Sequence, residues 1–226
     1  MTQKMAFNLL TVWGKANTAS IEETCTLHNQ TAGNLEGVAA AKSLGDMSHM
    51  TFMPTNAASS YTGELLFMDI WNSLDGLNKF FSDHQVQAGG NMMFASREAV
   101  VWNKLDGFLN FHFPSPTGKN EKIVGLVRGK VKSLDEAEAI HNASIEKQVN
   151  SARAAGIISH EFHVRLAGPG SPEALEVLGI DVWINADSMM KHYIGSEFQN
   201  SGLYSMFASK PASSTWVHPH GEWVEW

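Results

Sequence analysis

The sequence predicts an α+β protein made of two copies of one β-α-β-β-α-β unit, and three observations lead to that prediction. Residues 20–29 align with residues 133–142, with 4 of the 10 positions identical and 3 more conservative. Further matches follow in the same order at offsets of 111 to 113 residues. Strand-like and helix-like patterns alternate in the same order in both halves. The further matches are Gly45-x-x-Ser48-His49 with Gly156-x-x-Ser159-His160, Asp69-Ile70-Trp71 with Asp181-Val182-Trp183, and Met93-Phe94-Ala95-Ser96 with Met206-Phe207-Ala208-Ser209.

In the first half, the pair Ser20 and Glu23 forms the S-x-x-E capping box that begins a helix, and Gly45 suits the left-handed cap at its end. Apolar and β-branched runs bounded by Gly, Pro and Ser predict the strands. The predicted elements are strands at 5–13, 48–53, 64–71 and 99–105, and helices at 20–42 and 74–94.

In the second half, Ser133 with Glu136 and Gly156 provide the same helix signals. The Pro- and Gly-containing stretch at 114–122 is the best linker, so we assign residues 1–113 and 123–226 to the two repeats. The elements predicted in this half are helices at 133–153 and 188–207 and strands at 159–166, 175–184 and 214–217.

A β-α-β-β-α-β unit is the ferredoxin-like motif, in which helices cover one face of the sheet only. Two such units can bury their bare faces against each other. The strands at 65–70 and 177–182 are apolar at nearly every position, as expected for strands covered on both faces. We therefore expect two ferredoxin-like repeats packed sheet to sheet, forming a barrel within one chain. An exposed sheet edge could still pair with another copy in a homo-oligomer.

Bulk composition excludes several classes of protein. The chain of 226 residues is 43% hydrophobic and 17% charged, which is ordinary for a globular protein. A net charge of -7 without a Lys/Arg cluster argues against a nucleic-acid partner. Cys25 is the single cysteine, so no internal disulfide is possible, and no apolar run is long enough for a membrane span. We expect a cytoplasmic protein with a small-molecule ligand and no membrane partner.

Histidines are the main candidates for chemistry. One pair lies on the first helices, on the face expected to meet the sheet, and a second pair opens the second strands on an apolar face. A third pair lies on the second helices. Each could be a packed, hydrogen-bonded residue or part of a pocket. The asparagines that follow the first pair, Asn29 and Asn142, are expected to face outward. The three pairs are His28 and His141, His49 and His160, and His84 and His192.

Two further features carry polar groups. Asp69 and Asp181 interrupt otherwise apolar strands, and a buried carboxylate must be paired or hydrogen-bonded. Each could orient a histidine or cap a neighbouring loop. His218-Pro219-His220 places two imidazoles on one side of an extended segment, which is a weak metal signal without a third ligand. Motifs for nucleotide cofactors are absent from the sequence.

The second half resembles the antibiotic-biosynthesis-monooxygenase type of dimeric α/β barrel. The strand ending Asp181-Val182-Trp183 is followed nine residues later by His192, and then by Ser196-Glu197-Phe198, at the spacing of that family. Glu197 replaces the family's second histidine.

The first half departs from the family pattern at other positions. Phe80 replaces the family's first histidine there, while Ser82-Asp83-His84 resembles the second position one residue early. Chlorite-dismutase-like proteins share the duplicated layout, but their haem-ligand region has no match here. Haem-degrading relatives share Asn8 on the first strand but not the histidine spacing.

The resemblance implies a cofactor-independent monooxygenase acting on an aromatic or polyketide-like substrate. His192 would be the base, in a pocket closed by Trp183 and His141, with His160 and Asp181 beside it. The first half would supply a degenerate counterpart. Two alternatives stay open: a haem- or metal-binding protein of the same fold, and a non-catalytic binding protein. The residues of the expected counterpart are Trp71, His84, His28 and His49.

Overall fold

The computed structural model describes residues 7–55, 61–113, 122–168 and 170–226, which form two compact units. Unit 1 contains the chain up to Asn103 together with His218–Trp226, and unit 2 is Lys104–Val217. The sequence placed 104–113 in the first repeat and 218–226 in the second, whereas the contacts group each segment with the other half. The predicted linker at 114–122 lies, except for its last residue, outside the described residues.

Unit 1 has the predicted β-α-β-β-α-β order of elements. Its antiparallel sheet has the strand order β4-β1-β3-β2. The first strand begins at Asn8, and residues 5 and 6 of its predicted range lie outside the described part. The strands are β1 (Asn8–Ala16), β2 (Asp46–Pro54), β3 (Glu64–Trp71) and β4 (Phe94–Lys104), and the helices are α1 (Ile21–Gln30), α2 (Leu35–Ser43), α3 (Leu74–Phe81) and α4 (His84–Met93).

Each helix predicted for the first half is two helices in the structure, so the continuous predictions were wrong. A new cap causes each break. The Oδ1 atom of Asn34 accepts from the N–H of Gly37 at 2.8 Å, and Oδ1 of Asp83 accepts from Gln85 at 2.7 Å. Side chains of this kind satisfy the free N–H groups that begin a helix. The predicted cap at Ser20 is confirmed, because its Oγ accepts from Glu23 N–H.

Unit 2 has one extra short strand, β5 (Phe111–His112), followed by the same order of elements as unit 1, and its sheet is ordered β9-β6-β8-β7-β5. The helix after the first strand is unbroken, and Gly156 ends it at φ 112°, as its sequence predicted. The predicted helix at 188–207 is instead two short helices and a 3₁₀ turn at Leu203–Met206. The elements are β5 (Phe111–His112), β6 (Ile123–Lys130), α5 (Leu134–Ala155), β7 (Ile157–Arg165), β8 (Glu176–Trp183), α6 (Ala186–Tyr193), α7 (Ser196–Gln199) and β9 (Ala212–Val217).

Strand register is what brings polar side chains into each core. In unit 1, Asp69 of β3 lies directly opposite His49 of β2. In unit 2, Asp181 of β8 lies opposite His160 of β7. Opposed residues of an antiparallel pair project to the same face with their Cβ atoms roughly 5 Å apart. Both strand pairs have an irregularity just before the histidine, at the same relative position.

Each unit has its own apolar core around this polar pair. Trp71 and Leu65 are fully buried in unit 1, and Trp183 and Val177 are fully buried in unit 2. No helix among the described residues is long and apolar enough to cross a membrane.

Candidate active site

The functional candidates of unit 2 gather around two hydrogen-bonded histidines. Nδ1 of His160 lies 2.5 Å from Oδ1 of Asp181. His141 projects from α5, and its Nε2 lies 2.8 Å from Nε2 of His160. Tyr193 of α6 donates a hydrogen bond from its hydroxyl to Oδ2 of Asp181. Both histidines are buried, so these groups have little access to water.

Asn142 determines which nitrogen of His141 carries a proton. Its Oδ1 accepts from the N–H of Leu109 at 2.8 Å, and its Nδ2 donates to the carbonyl of Gly107 at 2.8 Å. These two bonds assign the amide orientation. Oδ1 also lies 3.1 Å from Nδ1 of His141, and a carbonyl oxygen only accepts. Nδ1 of His141 is therefore protonated, and a neutral His141 turns a lone pair on Nε2 toward His160.

The short contact between the two histidines therefore requires a second proton on His160. Its Nδ1 donates to Asp181, and its Nε2 donates to the lone pair of His141. Without that proton, two lone pairs would face each other across 2.8 Å. The network is thus a neutral imidazole, an imidazolium and a carboxylate in series, which leaves one positive and one negative charge buried side by side.

The electrostatics of the site agree with this assignment. Burial, and then the charge of His160, lower the pKa of His141 to about 4, so it is neutral at pH 7. Burial alone would raise the pKa of Asp181, but the charge and hydrogen bond of His160 and the bond from Tyr193 hold it below its usual value. Burial beside this carboxylate raises the pKa of Tyr193 well above its ordinary value. Tyr193 therefore stays protonated as a donor.

Unit 1 contains the same network at the equivalent positions. His28 and His49 join Nε2 to Nε2 at 2.9 Å, and Nδ1 of His49 lies 2.5 Å from Oδ1 of Asp69. Oδ1 of Asn29 lies 2.9 Å from Nδ1 of His28 and accepts from Val224 N–H, so the same proton count applies. The pKa of His28 is lowered to about 4, by burial first and the neighbouring His49 second. Burial alone would lower the pKa of His49, but the charge and hydrogen bond of Asp69, together with the charges of Asp46 and Glu225, raise it above its usual value.

A segment that contains aromatic residues covers each network. The asparagine of that network, Asn142 or Asn29, holds the segment by hydrogen bonds to its backbone. We call residues 107–113 the unit 2 strap and residues 218–226 the unit 1 strap. Asn142 bonds to Gly107 and Leu109 of the first, and Asn29 bonds to Glu222 and Val224 of the second. The expectation that both asparagines face outward was wrong. The ring contacts are Phe108 with His141 at 5.1 Å, Phe111 with His160 at 5.5 Å, Trp223 with His28 at 5.0 Å and Trp226 with His49 at 4.7 Å.

A cavity of about 30 Å³ lies beside the network in unit 2. His192 contributes to its wall and packs on Trp183, with ring centroids 5.1 Å apart. No hydrogen bond joins the His192 imidazole to another described residue. Burial lowers the pKa of His192 more than the negative charges of Asp181 and Glu197 raise it. This histidine is therefore neutral at pH 7. The lining residues are Phe111, Ile145, Gln148, Val149, Ala152, Ile157, His160, Asp181, His192, Tyr193, Phe198 and Leu203.

Unit 1 has apolar residues where unit 2 has the polar cavity wall. Phe80 and Phe81 pack on Trp71 at 5.5 and 6.1 Å, nine and ten residues after it, as His192 and Tyr193 follow Trp183. Asp46 lies opposite Trp71 in the register where unit 2 has Ile157 opposite Trp183. Burial, and then the nearby Asp69, raise the pKa of Asp46 to about 7.

The structure brings most of the predicted site residues together, but in two separate groups. His141, His160, Asp181, His192 and Trp183 lie in unit 2. His28 and His49 join Asp69 in unit 1, where Trp71 packs on phenylalanines. Asp69 and Asp181 each bind a histidine, which is one of the two arrangements expected.

The role predicted for His84 does not fit the structure, and the weak metal signal at His218 and His220 gains no third ligand among the described residues. His84 is exposed at the first residue of α4, and an exposed side chain does not suit the closed pocket expected around Trp71. His218 bonds through Nε2 to Glu225 at 2.8 Å. Across the described residues, no group of three or more His, Cys, Asp or Glu side chains is placed to hold a metal ion.

Sequence reasoning missed Tyr193, Gln148 and both straps. The repeat itself held one usable signal, because Asn29 and Asn142 are identical in the two halves and adjoin the paired histidines. Tyr193 had no such signal, since its counterpart is Phe81.

No protein-family model matches the chain, and no curated protein sequence matches it. Several solved structures are similar to the structure of this chain. An anthrone oxidase-like protein has a TM-score of 0.65 at 13% identity, covering 96% of this chain and 93% of its own. A proposed monooxygenase from Lactobacillus acidophilus NCFM has a TM-score of 0.61 at 8% identity, covering 94% and 93%. A chlorite dismutase variant from Candidatus Nitrospira defluvii, in complex with cyanide, has a TM-score of 0.61 at 8% identity, covering 97% and 92%.

These identities are too low to carry chemistry from one protein to another. The likeness concerns the fold, and the neighbours have the dimeric α/β-barrel fold that the sequence resemblance implied. The chain is an α+β protein with antiparallel sheets, whose fold is that of monooxygenase-type and chlorite-dismutase-type proteins.

Proposed function

We propose that this chain is a small-molecule oxidoreductase of the monooxygenase type and that the unit 2 cavity is part of its active site. The observation that carries the proposal is His192, a neutral imidazole free of hydrogen bonds to other described residues, on a cavity wall beside a buried His–Asp ion pair. The shared fold with monooxygenase-type and anthrone oxidase-like proteins supports the same class of reaction.

His192 has the properties of a general base. A lowered pKa keeps its ring unprotonated at pH 7, which is the state that accepts a proton. Trp183 holds one side of the ring. Once protonated, His192 gains from the negative charge of Asp181, whose influence already opposes the lowering of its pKa. The base is thus neutral before the reaction and stabilised after it.

The charges of the His160–Asp181 pair are already fixed in position before a substrate binds. His160 is held at its two nitrogens by His141 and Asp181, so its positive charge cannot turn away. A fixed positive charge at a largely apolar wall stabilises a substrate anion more than water would. His160 and His141 therefore act by electrostatics and position in this proposal, and His192 alone moves the proton.

The reaction that suits these groups is oxidation of an activated CH₂ group in a phenolic or polyketide-like substrate. His192 takes one proton from this carbon, and the resulting carbanion gives its electron pair to dioxygen with formation of a C–O bond. The peroxide takes the proton back from His192 and then loses water, leaving a carbonyl group. The balance is CH₂ plus O₂ giving C=O plus H₂O, without a bound cofactor.

We further infer that the two halves arose by duplication of one unit, which pairs with itself as two chains of a dimeric α/β barrel do. The matched Asn–His–His–Asp networks support this inference. The networks occur in both halves, whereas the His192 and Tyr193 positions are Phe80 and Phe81 in the first. Activity is therefore assigned to unit 2.

Oxygen consumption with quinol- and anthrone-type substrates tests the proposal. We expect His192→Ala to lower kcat at least about a hundredfold, as loss of a general base does. Phe80→Ala, at the matching position of unit 1, is the control and should retain kcat. Oxidation that proceeds equally well in His192→Ala would contradict the assignment of the base. A change in stability without a change in activity would favour a binding protein.

A haem protein of the same fold was the alternative open from the sequence. The reaction proposed above needs no bound cofactor, so we expect the purified protein to contain no haem. An absorbance spectrum of the purified protein checks this point, because a Soret band would contradict it.

A further inference from the structure

One glutamine on α5 has an oxygen atom that no described residue uses. Gln148 is 4% exposed and contributes to the wall of the unit 2 cavity. Its Nε2 donates to the carbonyl of Ser144 at 3.1 Å, and because a carbonyl oxygen only accepts, this bond assigns the orientation of the amide. The other polar atom, Oε1, is therefore a hydrogen-bond acceptor without a partner among the described residues. A buried acceptor in that state is unfavourable, so a donor that reaches this oxygen would be bound favourably.

His192 has unused hydrogen-bonding groups on the same cavity wall. Its neutral imidazole has one N–H and one lone pair, and no hydrogen bond joins it to another described residue. The remaining polar groups on the wall bind one another. His160 is bonded at both nitrogens, and Asp181 accepts from Tyr193 as well as from His160. A guest of the cavity therefore finds one free acceptor on Gln148 and a free imidazole on His192.

The size of the cavity limits its guest to a small polar group. Its volume is about 30 Å³, and one ordered water needs on the order of 10–15 Å³. Two waters fit, and so does one hydroxyl group together with the carbon that bears it. A charged group is disfavoured, because an anion would meet the oxygens of Gln148 and Asp181, and a cation would meet the imidazolium of His160.

The cavity is partly open, and apolar side chains form the rest of its wall. They come from the unit 2 strap, α5, β7 and the segment after α6. Apolar surface beside a few convergent polar groups is the usual composition of a site for a small organic molecule. A phenol complements this composition, since its hydroxyl is the only polar group on an apolar ring. The largest apolar side chains of the wall are Phe111, Ile145, Val149, Ile157, Phe198 and Leu203.

We propose that Gln148 is the specificity-determining residue of the unit 2 cavity and accepts a hydrogen bond from a neutral hydroxyl group that enters it. The ligand is a phenol or an enol, bound with its hydroxyl group innermost and its carbon skeleton at the cavity mouth. The binding site stands on the cavity alone. Its role in catalysis rests on the proposed function, because the bound hydroxyl would hold the activated CH₂ group of the same molecule against His192, which is partly exposed.

Phenol and anisole are the probes for binding, because anisole has a methyl group in place of the hydroxyl hydrogen. The experiment titrates each into the full chain and records ¹H–¹⁵N spectra. We expect phenol to cause saturable shifts at the side-chain amide of Gln148 and the backbone amide of His192, and to bind at least about tenfold more tightly than anisole. Equal affinities would overturn the proposal. Absence of saturable shifts with both probes, as expected for a cavity that holds water only, would overturn it as well.

Gln148→Met separates the hydrogen bond from the shape of the cavity. Methionine is similar in length but has only a weak acceptor, so phenol should bind about tenfold more weakly and lose its advantage over anisole. Gln85→Met, the same substitution at an exposed position of α4, is the control and should leave both affinities unchanged. A preference for phenol that persists in Gln148→Met would show that steric fit causes it, against the proposal. Thermal unfolding shows whether the variants are folded, and Gln148→Leu takes the place of Gln148→Met if the latter is not.

Steady-state kinetics distinguish this inference from the proposed function. With a phenolic substrate that the protein oxidises, Gln148→Met should lower kcat/KM about tenfold and leave kcat/KM for the O-methyl ether of that substrate unchanged. Equal losses for the two compounds would show a purely structural role for Gln148 and overturn the inference, with the proposed function intact. Hydroxyl-dependent binding of phenol without oxidation of any substrate would leave the binding site standing and contradict the proposed function instead.

Discussion

Two asparagines and two aspartates together set the proton count of four buried histidines. The amide of Asn142 directs a proton to Nδ1 of His141, and the carboxylate of Asp181 attracts one to Nδ1 of His160. The remaining contact between the rings then needs a third proton. The same reasoning holds for Asn29, His28, His49 and Asp69. Each unit therefore buries an ion pair whose stability depends on pH.

Stability should be highest near pH 6.5 and fall on both sides. His28 and His141 have a pKa of about 4 in the fold and roughly 6.5 when unfolded. The unfolded chain then binds more protons as the pH falls from about 6.5 to 4, at a cost approaching roughly 3 kcal/mol for each histidine. The raised pKa values of Asp46 and His49 act in the opposite direction. The contribution of Asp46 is lost as the pH rises from about 4 to 7, and that of His49 is complete below about pH 6.5 and is lost as the pH rises through its folded value.

Urea unfolding between pH 4 and pH 9 measures this profile. His141→Asn is the comparison, because it removes one of the two depressed groups and should flatten the acid limb. A free energy of unfolding that is constant from pH 4 to pH 7 would contradict the assignment of neutral His28 and His141.

Individual elements show where local signals are strong. Ser133, Glu136 and Gly156 delimit α5, and both ends lie where the capping pattern placed them. Asn34 and Asp83 have the same capping chemistry inside longer helical patterns, and there they begin new helices. A cap inside a periodic segment thus divides it, and periodicity alone does not reveal the division.

Gly156→Ala should lower the free energy of unfolding by about 1–3 kcal/mol. The residue has φ 112°, and an added Cβ would lie 2.5 Å from Cδ1 of Ile184. Gly168→Ala is the control, because no atom lies within 4 Å of its added Cβ. Chemical denaturation compares the two variants. Equal stability of both would show that the left-handed cap is unimportant.

The straps should contribute large and matched stabilisation. Trp223 and Phe108 are 8% and 6% exposed, and each packs on the helix histidine of its unit. Trp223→Ala and Phe108→Ala should each cost about 3–5 kcal/mol, the usual loss for a buried aromatic ring. Leu35→Ala, at a position 89% exposed, should change stability by less than about 0.5 kcal/mol. Thermal unfolding measures all three, and a small effect at Trp223 would mean that its strap is loosely held.

Across the whole molecule, the two units share a network but differ in the cavity wall. The Asn–His–His–Asp network, which both units share, binds the straps. The cavity wall of unit 2 also contains His192, Tyr193 and Gln148, which have no polar counterparts in unit 1. Removing the carboxylate from either network should therefore have separate effects on stability and on activity.

Asp69→Asn and Asp181→Asn should each cost on the order of 3 kcal/mol, because each leaves a buried imidazolium without its counterion. Only Asp181→Asn should also lower the oxidation rate of the folded protein. Urea unfolding together with oxygen consumption measures both effects. Equal losses of activity in the two variants would contradict the assignment of the active site to unit 2.

The residues alone predict the order of elements, the caps at Ser20, Ser133 and Gly156, and the matching of equivalent histidines between the halves. Those features depend on residues within about one helical turn or on direct comparison of the halves, so they can be read along the chain. Its resemblance also implied the fold that the solved neighbours have.

Which side chains meet depends on contacts between segments that lie far apart in the chain. Strand register placed Asp181 beside His160, and folding brought Val224 to Asn29 across 195 residues of chain. The straps, the proton assignment and the cavity all follow from contacts of that kind. Their physical reason is complementarity between distant surfaces, since a hydrogen bond or an aromatic contact depends on position in space and leaves no periodic pattern along the chain.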